Sequence, residues 1–323
     1  MKEFIIDENY ENQRIDKYCK KLLSRASLSL IYKMIRKKDI KVNGKKVDNS
    51  YILKKGDVVS MFLYEDRFQA LSEPLSIYDL PIEFEVVYED DLILIVNKPQ
   101  GLLVHEDAQG ALKTLSNEVL TYLYNKGEYD PDKERGFTPG PVHRLDRNTS
   151  GLVIFGKTMR ALQDLNEMMK QRHCIDKTYL TITKGYVESG EYIDYVIKDE
   201  EKSKMVVVSK ETENALKMDT IVERIDYKNE MSLVKVKLIT GRTHQIRVHL
   251  SHLGYPIIGD RKYGDFEFNK YIRNKYHLNY QFLHAYSLTF IEPIGCMKYL
   301  KNESFKAPLP KNLQEIKDAI FTV

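Results

Sequence analysis

Residues 141–155 read PVHRLDRNTSGLVIF and join a charged segment directly to an apolar one. One acid, Asp146, lies among His143, Arg144 and Arg147. The run GLVIF is short, apolar and preceded by turn-forming residues, which predicts a buried strand that begins at a tight turn. An aspartate between arginines is most often an ion-paired surface residue. The remainder of the chain must therefore decide whether Asp146 has a chemical role.

The segments around this strand predict a sheet that is interrupted by few helices. Residues 84–101, FEVVYEDDLILIVNKPQG, have the pattern of two strands joined by a turn, and residues 158–172 have the spacing of an amphipathic helix. Three further strand candidates follow, KTYLTITKGYV, MDTIVERI and MSLVKVKLIT. Because parallel strands need a crossover helix between them, we expect an α+β fold whose sheet is mixed and mostly antiparallel.

A smaller unit of two helices and a hairpin is predicted ahead of this sheet. Residues 14–23 and 27–38 place apolar side chains at helical spacing, and Ser27 can cap the second helix. Asn43 and Gly44, within IKVNGKKV, predict a two-residue hairpin turn. We therefore expect a compact N-terminal domain with a small sheet.

The basic residues of the chain are concentrated in this unit. Between residues 14 and 55 there are 14 Lys and Arg against 3 acids, a local charge of 14 − 3 = +11. Since the whole chain has a formal charge of +3, the remainder carries 3 − 11 = −8. This local excess of positive charge predicts a surface that binds the phosphates of a nucleic acid. The alternative is a charged surface that is solvated and binds no partner. The candidate RNA-binding residues are Lys33, Arg36, Lys37, Lys38, Lys41, Lys45 and Lys46.

Apolar runs and cysteine usage argue against several classes of protein. No apolar run approaches the length of a membrane span, and the N-terminus MKEFIIDENY has acids where a signal peptide is basic. Cys19, Cys174 and Cys296 are far apart in sequence, as expected of reduced thiols rather than of disulfides or a zinc site. We therefore expect a cytoplasmic protein that does not bind a membrane.

The sequence contains no motif for a bound cofactor or metal. It has neither the phosphate-binding pattern GxxxxGKS/T nor a GxGxxG after a strand. His244, His249 and His252 are close in sequence, but neither an HExxH motif nor a Cys/His ligand set accompanies them. We therefore expect no cofactor and no metal.

Three short motifs in the N-terminal unit carry a family resemblance. RIDK, VNGKKV and GDVV occur in that order, and over residues 12–64 the pattern resembles the S4 RNA-binding domain. The resemblance implies that structured RNA binds through the basic helix and the adjoining turn.

Three motifs of the larger unit carry a second, more specific resemblance. HRLDRNTSG at residues 143–151, KTYL at residues 177–180 and GRTHQIRVHLSHLGYPIIGDRKYG at residues 241–264 follow one another. Together they resemble the RluA-type pseudouridine synthases over residues 81–310. With the S4-like unit, nearly the whole chain resembles the synthases of this family that act on large-subunit ribosomal RNA.

The resemblance implies a role for four residues. Asp146 matches the catalytic aspartate, which attacks the target uridine while its base is detached, turned and rejoined through carbon. Arg144 matches the arginine that fills the gap left by the flipped base, and Tyr179 matches the tyrosine that packs against the uracil. Arg242 matches the basic residue that pairs with the catalytic carboxylate. Whether the aspartate attacks the sugar or the base stays open.

Elementary chemistry is compatible with these roles. A base inside structured RNA must be flipped out to react, and the pocket that receives it needs an aromatic or apolar wall such as Tyr179. An aspartate beside arginines is favoured as the ionised carboxylate. Isomerisation within one nucleotide involves no redox change, so the missing cofactor motifs are expected.

The sequence thus predicts an RNA-modifying isomerase with an S4-like domain over residues 1–64, a linker over residues 65–80 and a catalytic domain over residues 81–323. Its expected partner is structured RNA, above all large-subunit ribosomal RNA, and the working expectation is a monomer. Two alternatives remain open. The same chemistry could act on tRNA, or the protein could be a non-catalytic RNA-binding or ribosome-assembly protein.

Overall fold

The computed structural model describes residues 1–8, 10–72, 77–107, 109–134, 137–201 and 204–322. These residues form two separate sheets, one of three strands and one of eleven. No helix in the described part of the chain is long and apolar enough to cross a membrane.

The N-terminal unit consists of three helices and the three-stranded sheet. Its strands are antiparallel and lie in the order β1-β3-β2. The buried side chains of helices and strands form one hydrophobic cluster, in which Ile15, Tyr18 and Ile31 are almost fully enclosed. The elements are β1 (Lys2–Ile5), α1 (Ile15–Leu22), α2 (Leu28–Arg36), β2 (Ile40–Val42), β3 (Val58–Met61) and α3 (Glu65–Leu71).

Both local predictions for this unit are confirmed. The Oγ of Ser27 accepts a hydrogen bond of 3.2 Å from the backbone N–H of Leu30 and so caps α2. Asn43 and Gly44 have φ angles of 51° and 71°. Positive φ at both central residues is typical of the type I′ turn, which only small or Asn-like residues adopt without strain.

The linker prediction for residues 65–80 is corrected at its N-terminal end. Residues 65–71 form helix α3, and Phe68 is buried in the N-terminal core. A single aromatic anchor in a seven-residue helix leaves too short an apolar pattern to be recognised in sequence. Residues 73–76 of the predicted linker lie outside the described residues, and Ile77 already packs against the core of the larger sheet.

The larger sheet follows the predicted α+β plan, mixed and mostly antiparallel. Its main order is β10-β9-β11-β12-β8-β13-β7-β5-β4, with β14 beside β13 and β6 beside β7. Of the pairs between the described strands, only β7 and β13 run parallel. The strands are β4 (Glu85–Glu89), β5 (Ile93–Lys98), β6 (Gly140–Pro141), β7 (Ser150–Gly156), β8 (Ile175–Lys184), β9 (Gly190–Asp199), β10 (Lys204–Val208), β11 (Leu216–Lys228), β12 (Met231–Leu238), β13 (Leu283–Phe290) and β14 (Ser304–Lys306).

Helices accompany this sheet, and the sheet's central strands are its most enclosed part. Every residue of β5 and of β7 is buried. The amphipathic helix predicted over residues 158–172 is confirmed as α5, with Leu165 and Met168 fully buried. The helices are α4 (Leu115–Asn125), α5 (Met159–Gln171), α6 (Gln245–His252), α7 (Phe266–Tyr276), α8 (Lys311–Phe321) and a 3₁₀ helix (Gly295–Leu300).

Gly151 allows the parallel pairing of β7 with β13. Its φ is +112°, and it is paired with Ala285 in the parallel register. A Cβ at this position would lie 2.3 Å from the carbonyl oxygen of Ala285. Only glycine avoids both the strain and the clash, so the loop that precedes β7 is fixed close to the start of β13.

Candidate active site

Asp146 lies in the loop between β6 and β7, and this loop is tied to the end of β5. The backbone N–H of Thr149 donates to the carbonyl of Asp146 at 3.0 Å. The carbonyl of Arg147 accepts from the N–H of Gly101 at 2.9 Å and from the Nζ of Lys98 at 3.1 Å. These bonds give the loop a defined geometry, so the Asp146 carboxylate is held at a fixed position.

Lys98 is a fully buried lysine at the base of this loop, and no sequence motif pointed to it. Besides the Arg147 carbonyl, its Nζ donates to the carbonyls of Pro99 at 2.9 Å and Leu102 at 2.8 Å. Burial lowers the pKa of Lys98 to about 7, and the negative charge of Asp146 opposes that shift. The signal in sequence was a lysine at the end of a strand that begins with four apolar residues.

The carboxylate of Asp146 is paired with Arg247. The Nη1 of Arg247 lies 2.8 Å from Oδ2 of Asp146. The remaining nitrogens of the same guanidinium form a two-pronged pair with Asp260, with Nε 2.7 Å from Oδ2 and Nη2 2.9 Å from Oδ1. This fork geometry leaves Arg247 little freedom to move, so it orients the Asp146 carboxylate.

The charges of this triad stabilise one another. Burial by itself would lower the pKa of Arg247, but the hydrogen bonds and charges of Asp260 and Asp146 raise it. Burial would raise the pKa of Asp260, but Arg247 holds it below its usual value. The Asp260 side chain is completely enclosed, whereas that of Asp146 is 27% exposed. Of the two carboxylates, Asp146 is the one that a substrate can reach.

The predicted ion pair between Arg242 and Asp146 is wrong. The Nε of Arg242 donates to the carbonyl of Lys217 at 3.1 Å, and its backbone N–H donates to Oε1 of Gln245 at 2.9 Å. Arg242 lies in the loop before α6, while Arg247 lies within α6. The motif GRTHQIR contains two arginines, and sequence order does not reveal which one faces Asp146. Asp260, in the quoted motif GDRKYG, is the partner that decides it.

All four residues predicted for catalysis or substrate binding nevertheless line one cavity. Its volume is about 320 Å³, within the range of small-molecule sites. Tyr179, on β8, is 7% exposed, and burial together with the charge of Asp146 raises its pKa. Asp146 is the one acid among the described residues that line the cavity. The predicted residues brought together there are Arg144, Asp146, Tyr179 and Arg242.

Burial favours the neutral form of two histidines of the cavity. Burial lowers the pKa of His143 to about 3, and its Nε2 accepts a hydrogen bond of 3.2 Å from the backbone N–H of Ile154. The Nε2 of His244 lies 3.9 Å from Oδ1 of Asp146, while its Nδ1 is 2.9 Å from the hydroxyl of Tyr263. Burial lowers the pKa of His244 as well. The cavity therefore combines one carboxylate with neutral and cationic groups. This composition is compatible with chemistry that uses a single carboxylate as nucleophile, and it lacks the second acid that a two-carboxylate mechanism requires among the described lining residues.

The predicted RNA-binding residues lie on α2, directly after it, on β2 and directly after the Asn43–Gly44 turn. Six of the seven are exposed, and Lys41 is half-buried with its Nζ 4.8 Å from the centre of the Phe62 ring. Among the described residues, none of the seven has a carboxylate within ion-pair distance. Arg14, in contrast, pairs with Asp16 at 2.7 Å. The exposed residues form what we call the α2 basic surface, Lys33, Arg36, Lys37, Lys38, Lys45 and Lys46.

Comparison with known proteins matches both units. Residues 92–252 match the family described as RNA pseudouridylate synthase, and residues 13–59 match the S4 domain. The chain is 34% identical to the ribosomal large subunit pseudouridine synthase C of Buchnera aphidicola, covering 94% of this chain and 92% of that protein. It is 33% identical to the Haemophilus influenzae protein of the same name, covering 99% and 96% respectively.

The fold itself resembles a solved structure. Human RNA pseudouridylate synthase domain containing 4 superimposes with a TM-score of 0.57 at 22% identity, covering 72% of this chain and 92% of that one. At that identity the likeness concerns the fold alone, whereas the sequence relatives establish the family. The chain therefore belongs to the RNA pseudouridylate synthase family, contains an S4 domain and is an isomerase that acts on RNA.

Proposed function

We propose that this protein converts specific uridines of large-subunit ribosomal RNA to pseudouridine, with Asp146 as the nucleophile. The observation that carries the proposal is the Asp146 carboxylate, oriented by Arg247 at 2.8 Å and the one acid among the described residues of the cavity. A carboxylate held in this way is available to form a covalent bond to carbon.

The reaction requires no external electrons. The bond between N1 of uracil and C1′ of ribose breaks, a bond between C5 and C1′ forms, and the proton lost from C5 is balanced by one gained at N1. Asp146 can assist by attacking either the sugar or the base, and it is regenerated in both routes. Tyr179 supplies an enclosed wall against which the detached base can turn. Arg144 is exposed at the cavity, which is compatible with a side chain that fills the gap left by the flipped base.

The choice of RNA rests on the relatives and on the N-terminal domain. Two relatives are named ribosomal large subunit pseudouridine synthases, and the S4 domain presents the α2 basic surface. Lysines and arginines without carboxylate partners are suited to binding phosphates. The same chemistry on tRNA is the second candidate, and a binding protein without catalysis is the third.

A pseudouridine map of ribosomal and transfer RNA tests the proposal. Cells that lack the gene are complemented with the wild type, with Asp146→Asn or with Asp91→Asn, a control at an exposed residue of the β4–β5 turn. We expect sites in large-subunit RNA to disappear and to return with the wild type and the control. Asp146→Asn should lower turnover more than about 1000-fold while the protein still binds RNA.

Other outcomes discriminate among the candidates. If pseudouridines disappear from tRNA alone, the reaction is as proposed but the substrate is tRNA and not ribosomal RNA. Rescue by Asp146→Asn would exclude Asp146 as the nucleophile. If no site were lost, the RNA-binding role without catalysis would be the better description.

A further inference from the structure

Two cations line the Asp146 cavity, and a third ends the helix that contacts one of them. Lys177 lines the cavity from β8, two residues before Tyr179, and Arg242 lines it from the loop before α6. Arg172 ends α5 and is exposed, five residues before Lys177. The Nζ of Lys177 lies 3.8 Å from the sulfur of Met169 in α5, three residues before Arg172. The charge of Arg172 lowers the pKa values of both Lys177 and Arg242, in each case after a larger effect of burial.

These cations lack the partners that such groups usually have. Among the described residues, none of the three pairs with a carboxylate. Within the described part of the chain, the one acceptor of the Lys177 ammonium is the thioether sulfur of Met169 at 3.8 Å, which is a weak acceptor. The Nε of Arg242 donates to a backbone carbonyl, and its terminal nitrogens make no hydrogen bond to another described residue. A group of like charges that is partly withdrawn from water is stabilised when an anion binds.

Acids that neighbour these cations in sequence are paired with other cations. Asp176 precedes Lys177 in β8 and therefore points to the opposite face of the sheet, where it pairs with Lys237 at 2.6 Å. Glu167 of α5 pairs with Lys170 at 3.2 Å. Asp146 itself is paired with Arg247. These acids therefore do not neutralise the three cations, which have no carboxylate partner in the described ranges of the chain.

We propose that Lys177, Arg172 and Arg242 form a phosphate subsite, which binds a phosphodiester group adjacent to the uridine in the cavity. The proposal rests on the proposed function for the nature of the nucleotide. Lys177 acts as a point charge beside the base, and the guanidinium of Arg242 offers a planar fork that suits phosphate oxygens. The subsite differs from the α2 basic surface because it binds the reacting nucleotide itself.

Two small ligands test the subsite with the full-length protein. Calorimetry measures the affinity of uridine, which is neutral, and of uridine 3′,5′-bisphosphate, for the wild type, Lys177→Met and Lys237→Met. The control removes a lysine from the neighbouring strand, on the opposite face of the sheet and already paired with Asp176. We expect the wild type to prefer the bisphosphate. Lys177→Met should bind it roughly tenfold more weakly, with unchanged affinity for uridine.

Several results would overturn the subsite. One is a Lys177→Met variant that binds the bisphosphate as tightly as the wild type, or that loses as much affinity for uridine as for the bisphosphate. Another is a Lys237→Met variant that loses as much affinity for the bisphosphate as Lys177→Met does. The last is a wild type that does not bind the bisphosphate. Should Lys177→Met fail to fold, Arg172→Gln at the exposed end of α5 replaces it, with a smaller loss expected because that side chain is solvated.

Neither measurement requires turnover, which separates this proposal from the one on catalysis. If the protein has no isomerase activity but Lys177→Met weakens bisphosphate binding, the subsite proposal stands and the proposal of Asp146 as nucleophile fails. If the enzyme is active and Lys177→Met binds both ligands as the wild type does, the catalytic proposal stands and the subsite proposal fails.

Discussion

The Asp146 cavity and the α2 basic surface hold charge in different ways. In the cavity, Asp146, Arg247 and Asp260 form a chain of ion pairs at 2.7–2.9 Å, and Asp260 is fully enclosed. On the α2 basic surface, six cations are exposed and have no carboxylate partner among the described residues. The first arrangement fixes one carboxylate in place, and the second leaves flexible charges facing solvent.

This difference teaches what each region can contribute. A partly buried pair is poorly screened by salt and loses much when one partner is removed, so the cavity determines geometry and chemistry. Exposed lysines attract RNA phosphates through solvent, and dissolved salt screens this attraction strongly. The α2 basic surface therefore determines the affinity for RNA and its dependence on salt. Substitutions in the two regions should therefore differ in size and in the quantity they change.

The largest effect is expected from Arg247→Met. This change leaves Asp260 buried without its partner, which should lower the free energy of unfolding by about 3–5 kcal/mol and abolish isomerisation because Asp146 is no longer oriented. Chemical denaturation and pseudouridine formation measure the two effects.

Arg242→Met is the matched control for this prediction, because Arg242 lines the same cavity without pairing with a carboxylate. We expect its free energy of unfolding to change by less than about 1 kcal/mol. An Arg247→Met protein that is as stable as this control would disprove the role given to the triad.

An intermediate effect is expected from the protonation of Lys98. Its pKa is about 7 in the folded protein, whereas an unfolded lysine has a pKa of about 10.4. Between these values the unfolded state binds more protons, so the contribution of Lys98 to the free energy of unfolding rises with pH. Between pH 7 and 9 the difference between wild type and Lys98→Met should grow by about 2 kcal/mol in favour of the wild type.

Urea denaturation at pH 7, 8 and 9 measures this difference. A constant difference over that range would show that Lys98 keeps the same charge in the folded and unfolded states. In that case the three carbonyl bonds would hold a permanent ammonium beneath the Asp146 loop.

The smallest effect for each residue is expected on the α2 basic surface. Changing Lys37, Lys45 and Lys46 together to Gln removes three exposed cations, and the slope of log affinity against log salt should fall by about two to three. Turnover at saturating RNA should be unchanged, because none of these residues lines the cavity.

Lys55→Gln is the control for charge alone, because Lys55 is exposed but paired with Glu8. Lys55→Gln should change the slope of log affinity against log salt less than a single substitution of Lys37, Lys45 or Lys46 does. RNA binding by the triple variant with the slope of the wild type would make the α2 basic surface a merely solvated face.

The sequence by itself determined the features that depend on near neighbours. The apolar spacing of α1, α2 and α5, the cap at Ser27 and the turn at Asn43 and Gly44 all involve residues within a few positions of one another. The ordered motifs likewise predicted the family and the four residues that line the cavity. Such patterns can be read because the physics that they reflect is local.

The tertiary structure alone decided which charges meet. Asp146 and Arg247 are 101 residues apart, and the contact of Lys98 with the Arg147 carbonyl spans 49 residues. Arg242 and Arg247 are equivalent in charge, and only the burial of Asp260 beside α6 selects Arg247 as the partner of Asp146. An ion pair depends on distance and desolvation, and both exist only once the sheet has brought β5, β7 and α6 together.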